Sequence, residues 1–325
     1  MAKVRVRRVK KRKLKRGYIY AVFFSGFAVL AYLFLAIFIF KVYDPNKTIV
    51  VAGGALRIPY NIEFLNSFTL VLLIALFPLG VVSFLDYRRR KSIERNLPIF
   101  LRDLAELVRT GTPLTKAIEE LSSRNYEALT PLLKKLTLRV MFGEDLGDAV
   151  DEVFKEESPT TRKLALMMAE AYYSGGKAAE VLRTASNFAL LLQRFDDEKQ
   201  RELRVYGMIV YMAIVIYLIV SAILLYMDIS MFSTIGVARG ARGFAITLLP
   251  PEQVKAVLYY ASIVLMMASA AILSKVRYGV MGPGILHLSV LLVVIMIYYT
   301  YIEVIVSLLM GIQVPQLQPT PVIRP

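Results

Sequence analysis

Few residues of this chain could do chemistry: a Gly175-Gly-Lys177 run, three pairs of adjacent acids, one histidine, and a glutamate set in apolar sequence. A phosphate-cradling loop needs a glycine five residues before its Gly-Lys pair and a hydroxyl after it, the latter to ligate magnesium. Those positions hold Ala171 and Ala178, so nucleotide binding is not expected. Paired carboxylates could divide acid and base work. Glu119-Glu120, Asp151-Glu152 and Asp196-Asp197, however, are immediate neighbours in helix-patterned sequence, where adjacent side chains point to different faces. His287 and Glu303 lie sixteen residues apart in one apolar run, roughly 24 Å at the helical rise, and cannot form one site on that helix. Each is near an end of the run, placed for an interfacial or helix-helix hydrogen bond rather than a proton relay. Without cysteine there is no disulfide framework, thiolate zinc site or thiol nucleophile. No catalytic, cofactor-binding or metal-binding set remains, and the chain reads as a protein that is not an enzyme.

The elements around these residues carry a clearer signal. Gly111, Gly143 and Gly175 recur every 32 residues, and an apolar pattern follows each in the same register. Leu114, Leu146 and Ala178 come three residues later; Ala117, Ala149 and Val181 six later; Ile118, Val150 and Leu182 seven later. A period of this length predicts stacked helix-turn-helix units that bury their faces only together. Gly111, Gly143, Gly175 and Gly176 are therefore the candidate turn motif, since the residue after a helix often adopts the left-handed conformation that glycine enters freely. Before the first glycine, Leu101, Leu104, Leu107 and Val108 keep helical spacing, with Pro98 suited to the opening turn. The expected fold class is all-α: a polytopic membrane protein of about five spans with one cytoplasmic six-helix bundle.

Composition requires the membrane. The chain is 57% hydrophobic with net charge +15, and its mean hydropathy is +0.55, outside the range of soluble domains. Residues 1–16 form a basic tail with ten Lys and Arg and no acid. Uncharged runs at 17–40 and 68–85 follow, long enough to cross a hydrocarbon core of about 30 Å, and make a transmembrane hairpin within 17–92. Pro78 is placed to kink the second. Arg88, Arg89, Arg90 and Lys91 close that span as a membrane-surface cluster facing lipid, and with the tail they set the amino terminus inside. The apolar run after Lys15-Arg16-Gly17 is too long for a secretory signal, and Val22 stands where a prepilin leader would carry glutamate.

Residues 93–204 are the cytoplasmic helical domain. Between Asp86 and Arg204 there are 21 basic and 20 acidic residues, so no face is suited to nucleic acid. The charged run containing Arg194, Gln200 and Arg204 meets no helix breaker before Val205 and reads as a lever helix entering the third span. Spans at 205–227, 254–273 and 285–310 make up 205–310; Asp228 to Gln253 falls outside, and 311–325 is a Pro-rich extracytoplasmic tail. The multi-pass chain thus has its amino terminus inside and its carboxyl terminus outside the cell membrane.

Leu97-Pro-Ile-Phe-Leu-Arg-Asp-Leu-Ala-Glu-Leu-Val-Arg-Thr-Gly111, Gly143-Glu-Asp-Leu-Gly-Asp-Ala-Val150, Gly175-Gly176 and the Tyr206 to Tyr211 stretch resemble the type II secretion F domain. This is the domain of membrane platform proteins in type II secretion, type IV pili and archaella. A weaker likeness, Leu273 to His287, is to the loop between the last spans of archaeal platform proteins. The resemblance implies a scaffold that couples a hexameric secretion or pilus ATPase to insertion or extraction of pilin-like subunits. Many members carry two such domains, so a single one implies a homodimer or a sibling platform chain. The alternative is a transporter or channel with a cytoplasmic helical regulatory domain, which would put polar groups on broken helices near the membrane midplane.

Overall fold

The computed structural model describes residues 11–38, 42–51, 56–238 and 249–310. The first ten residues of the basic tail, residues 239–248 of the stretch expected outside the membrane, and the Pro-rich tail lie outside them. The described chain is a series of nine helices and one small hairpin: α1 (Lys11–Phe38), β1 (Thr48–Val51), β2 (Leu56–Pro59), α2 (Ile62–Arg109), α3 (Leu114–Ser122), α4 (Thr130–Met141), α5 (Leu146–Phe154), α6 (Pro159–Tyr173), α7 (Ala178–Ala238), α8 (Pro251–Tyr278) and α9 (Gly284–Met310). Among the described residues, five helices are long and apolar enough to span a membrane: α1, α2, α7, α8 and α9. The protein is an all-α polytopic membrane protein.

Two compact units emerge, residues 84–204 and residues 1–83 with 205–325. In the first, the core gathers Phe100, Leu104, Leu121, Leu133, Phe154 and Leu182, all with essentially no exposure. The repeated apolar positions line the same core: Ile118, Val150 and Leu182 are buried, as are Leu114, Leu146 and Ala178. Three helix-glycine-helix hairpins supply it: the end of α2 with α3, α4 with α5, and α6 with the start of α7. Truncating Leu104 to Ala is expected to cost about 2–5 kcal/mol, because a packed site collapses only partly around the void.

In the second unit, α1 and α2 run antiparallel: the Tyr18 hydroxyl lies 3.3 Å from Ser83 Oγ, and that of Tyr32 lies 3.1 Å from Ser67 Oγ. The core here includes Leu65, Tyr259, Leu292, Ile295 and Tyr299 from α2, α8 and α9. Large apolar side chains left exposed along α1 and α7, such as Phe23, Phe27, Ile209 and Met212, are what a lipid-facing surface requires. Gly80 of α2 and the start of α9 meet backbone to backbone; a Cβ at Gly80 would lie 2.7 Å from the Leu286 nitrogen. Ser274 of α8 fastens the α8–α9 turn by donating to the Val280 and Met281 carbonyls while accepting from the Gly284 amide.

Several elements differ from the sequence-based expectations. The helix that holds the second span begins at Ile62, where the Asn61 side chain accepts from the Glu63 amide as a cap, and it does not stop at Leu85. It runs on as one helix of 48 residues through Arg88–Lys91 to Arg109. Pro98 is therefore interior, not in an opening turn. Its missing amide frees the Glu94 carbonyl, and Gln193 Nε2 from α7 takes that bond at 2.6 Å. Between the first two spans lies an antiparallel hairpin, registered Thr48 to Pro59 and Val51 to Leu56. The helix holding the third span continues past Met227 to Ala238, since neither proline nor glycine interrupts it before Gly236.

Candidate functional site

The three glycines have left-handed backbones, with φ of 97° at Gly111, 79° at Gly143 and 57° at Gly175. At Gly111 the Thr112 amide reaches back to the Leu107 carbonyl and the Gly111 amide to Val108; at Gly143 the amides of Glu144 and Gly143 bond Arg139 and Val140 in the same way. This paired closure satisfies the last carbonyls of α2 and α4. Gly175 instead opens a single 3-10 turn, Gly175–Lys177, and Gly176 lies within it. All four glycines are exposed.

Beside the second turn, Asp145 caps α5 by accepting from the Gly147 amide at 2.8 Å and also takes a short bond from the Tyr173 hydroxyl. That phenol, followed by the amides at the helix start, holds the Asp145 carboxyl below the usual carboxylate range and pushes Tyr173 up. A lowered folded-state pKa contributes stability above the unfolded pKa, which is lost as pH falls through the folded value. Tyr173→Phe should therefore return the Asp145 titration toward its ordinary value, moving loss of this cap to higher pH; carboxyl NMR titration of both forms reads the shift.

Where α2 and α7 run side by side within this unit, a polar clamp joins them. Glu94 is its centre. Its carboxylate accepts from Ser158 Oγ at 2.8 Å and lies 3.5 Å from Lys91 Nζ, while its carbonyl takes the Gln193 amide. Lys91 also pairs with Asp196 of α7 at 3.1 Å, and buried Ser186 donates to the Pro98 carbonyl at 2.8 Å. Arg89 reaches Glu157 in the α5–α6 connection at 2.6 Å, and Arg90 pairs with Asp86 at 3.0 Å. Three members of the basic cluster thus engage carboxylates of this chain. Arg88 is exposed, and among the described residues no ion pair is recorded for it.

Sequence reasoning missed this clamp because its partners lie 64 to 105 residues apart; the one available signal was Pro98, whose lost amide implies an unpaired carbonyl nearby. Gln193→Leu should cost about 1–3 kcal/mol by leaving the Glu94 carbonyl unpaired. In a Pro98→Ala background the restored amide can bond that carbonyl, so the same change should cost less. Equal losses in both backgrounds, measured by chemical unfolding, would refute the exchange.

Past the clamp, α7 is exposed on nearly every side from Arg194 through Gln200 to Arg204, with only Leu203 half-buried. The polar groups of the spans are occupied differently. His287 Nε2 lies 3.0 Å from the Tyr278 hydroxyl, and Glu303 pairs with Lys255 at 2.9 Å. Asn66 bridges α8 and α9, accepting from Tyr259 and donating to Thr300, both at 3.1 Å. Among the described residues there is no group of three or more His, Cys, Asp and Glu side chains able to hold a metal ion.

Residues 100–226 match the family model of protein F of the type II secretion system. They begin in the clamped part of α2, cover all three glycine turns and end within the span of α7. This segment belongs to the type II secretion protein F family. An uncharacterized protein of Methanocaldococcus jannaschii is 24% identical over 201 residues, which is 62% of this chain and 32% of the relative. The chain thus spans about a third of the length of that relative. No solved structure matches.

Proposed function

We propose that the protein is a membrane platform of a type IV pilus, archaellum or type II secretion-like machine. The unit 84–204 would receive motion from a hexameric secretion ATPase in the cytoplasm, and α2 and α7 would carry it to pilin-like subunits in the bilayer. The observation that carries this reading is the continuity of α7, one helix of 61 residues that begins in the family-matched bundle and ends beyond an apolar span. A rigid transmitter needs a dense core and a stiff exit. The glycine-turned hairpins would supply the first, and the clamp with exposed α7 the second. The nearly balanced charge of this unit suits protein partners.

The proposed orientation places the amino terminus and residues 93–204 inside, the β1–β2 hairpin and carboxyl terminus outside, and Arg88 at anionic headgroups. Cysteine is naturally absent, so introduced thiols report cleanly. An impermeant maleimide applied to intact cells should label Lys47→Cys and leave Ser123→Cys untouched until the membrane is opened. The reverse pattern would invert the topology and place the bundle away from any ATPase.

A further inference from the structure

The unit 84–204 carries a groove of 680 Å³ between α6 and the start of α7. Its floor is apolar, formed by Leu164, Met167, Val181, Phe188 and Leu192. Phe188 is 54% exposed and Met167 37%, so the floor stands open to solvent. Apolar surface of this kind on a water-facing bundle is a recognition feature more often than an accident. The rim is charged. Lys163 and Lys177 border the groove with a single acid, Glu180, and all three are exposed. Glu180 of α7 stands three residues from Lys177 in the preceding turn and three from Arg183, so its charge is shared and the rim stays positive. Among the described residues no ion pair is recorded for either lysine.

We infer that this groove docks an amphipathic helix of a partner protein, with apolar anchors on the floor and acidic side chains against Lys163 and Lys177. Dimensions and charge both select this occupant. The α7 edge from Ala178 to Leu192 is roughly 21 Å long at the helical rise, room for about four turns of a third helix. Two antiparallel helices presenting an apolar trough accept anchors spaced three, four and seven residues apart. The positive rim selects acidic flanks and disfavours basic ones, because like charges brought together across an interface are costly. The groove would serve this way whether or not the chain is a secretion platform, so its test is separable from that reading.

The test uses the full chain in zwitterionic nanodiscs, with Thr184→Cys in the groove carrying an environment-sensitive fluorophore as the only thiol. Two synthetic helical peptides of about 16 residues, sharing four leucine anchors and flanked by either glutamate or lysine, are titrated against it. The acidic peptide should saturate the signal and bind at least about tenfold tighter than the basic one. In Lys163→Glu/Lys177→Glu, whose altered positions are on the surface, the preference should reverse while the helical circular dichroism and melting stay unchanged. Equal binding of both peptides, or no binding, would overturn the inference. A fluorescence shift that grows with chain concentration without peptide would assign the groove to a second copy and overturn it as well.

Discussion

Gln200→Pro should leave the bundle folded, and the chain in the membrane, yet abolish filament assembly or secretion. Gln200 lies in the exposed stretch of α7, away from the bundle core. A proline there removes one backbone hydrogen bond and clashes with the preceding turn, at about 3 kcal/mol or more, so the helix kinks or breaks locally. Core, glycine turns and clamp all lie on the amino-terminal side of the change. Arg124→Pro, in the connection between α3 and α4, should be far milder, since no interior helical turn is broken. Purified Gln200→Pro should melt near the parent temperature and retain an associated ATPase, with the defect confined to assembly. Full assembly by this variant would show that α7 transmits nothing.

The second large effect falls on stability. At Gly80 a side chain has nowhere to go, because its Cβ would sit 2.7 Å from the Leu286 nitrogen and 3.0 Å from its Cα. Those are backbone atoms of α9, so relief requires the two helices to separate. Gly80→Ala should cost about 1–3 kcal/mol by overpacking, and Gly80→Leu more. Gly26 of α1 is the control, since an added Cβ there meets nothing within 4 Å. Gly26→Ala should be neutral or stabilise by about 0.5–1 kcal/mol, because alanine loses less backbone entropy than glycine in a helix. Unfolding in mixed micelles orders the variants; Gly80→Ala as stable as Gly26→Ala would mean that α2 and α9 do not pack at this point.

The parts of this fold that sequence revealed are those written in local rules. Glycine at a helix end and apolar residues at steps of three and four report on their own neighbourhoods, so the hairpin turns at Gly111, Gly143 and Gly175 and the buried register of Ile118, Val150 and Leu182 could be read directly. Pro98 misled for a physical reason: its usual meaning as a first-turn residue holds only when nothing else satisfies the freed carbonyl, and Gln193 from α7 does. Arg88–Lys91 illustrates the other blind spot. A run of four basic residues after a span carries no local sign of its partners, and the acids that pair with Arg89 and Lys91, Glu157 and Asp196, come from distant sequence. The same holds for Asp145, whose link to Tyr173 joins two turns that only folding brings together.

Under the proposed function, this chain joins a cytoplasmic motor to subunits in the membrane. Crosslinking intact cells, purifying the chain through an affinity tag and quantifying its partners by mass spectrometry tests that claim most directly. A secretion ATPase should be crosslinked to residues within 84–204 and pilin-like subunits to the spans of α2, α7, α8 or α9. Recovery of neither, with the chain instead bound to a small-molecule substrate or a transport partner, would contradict it.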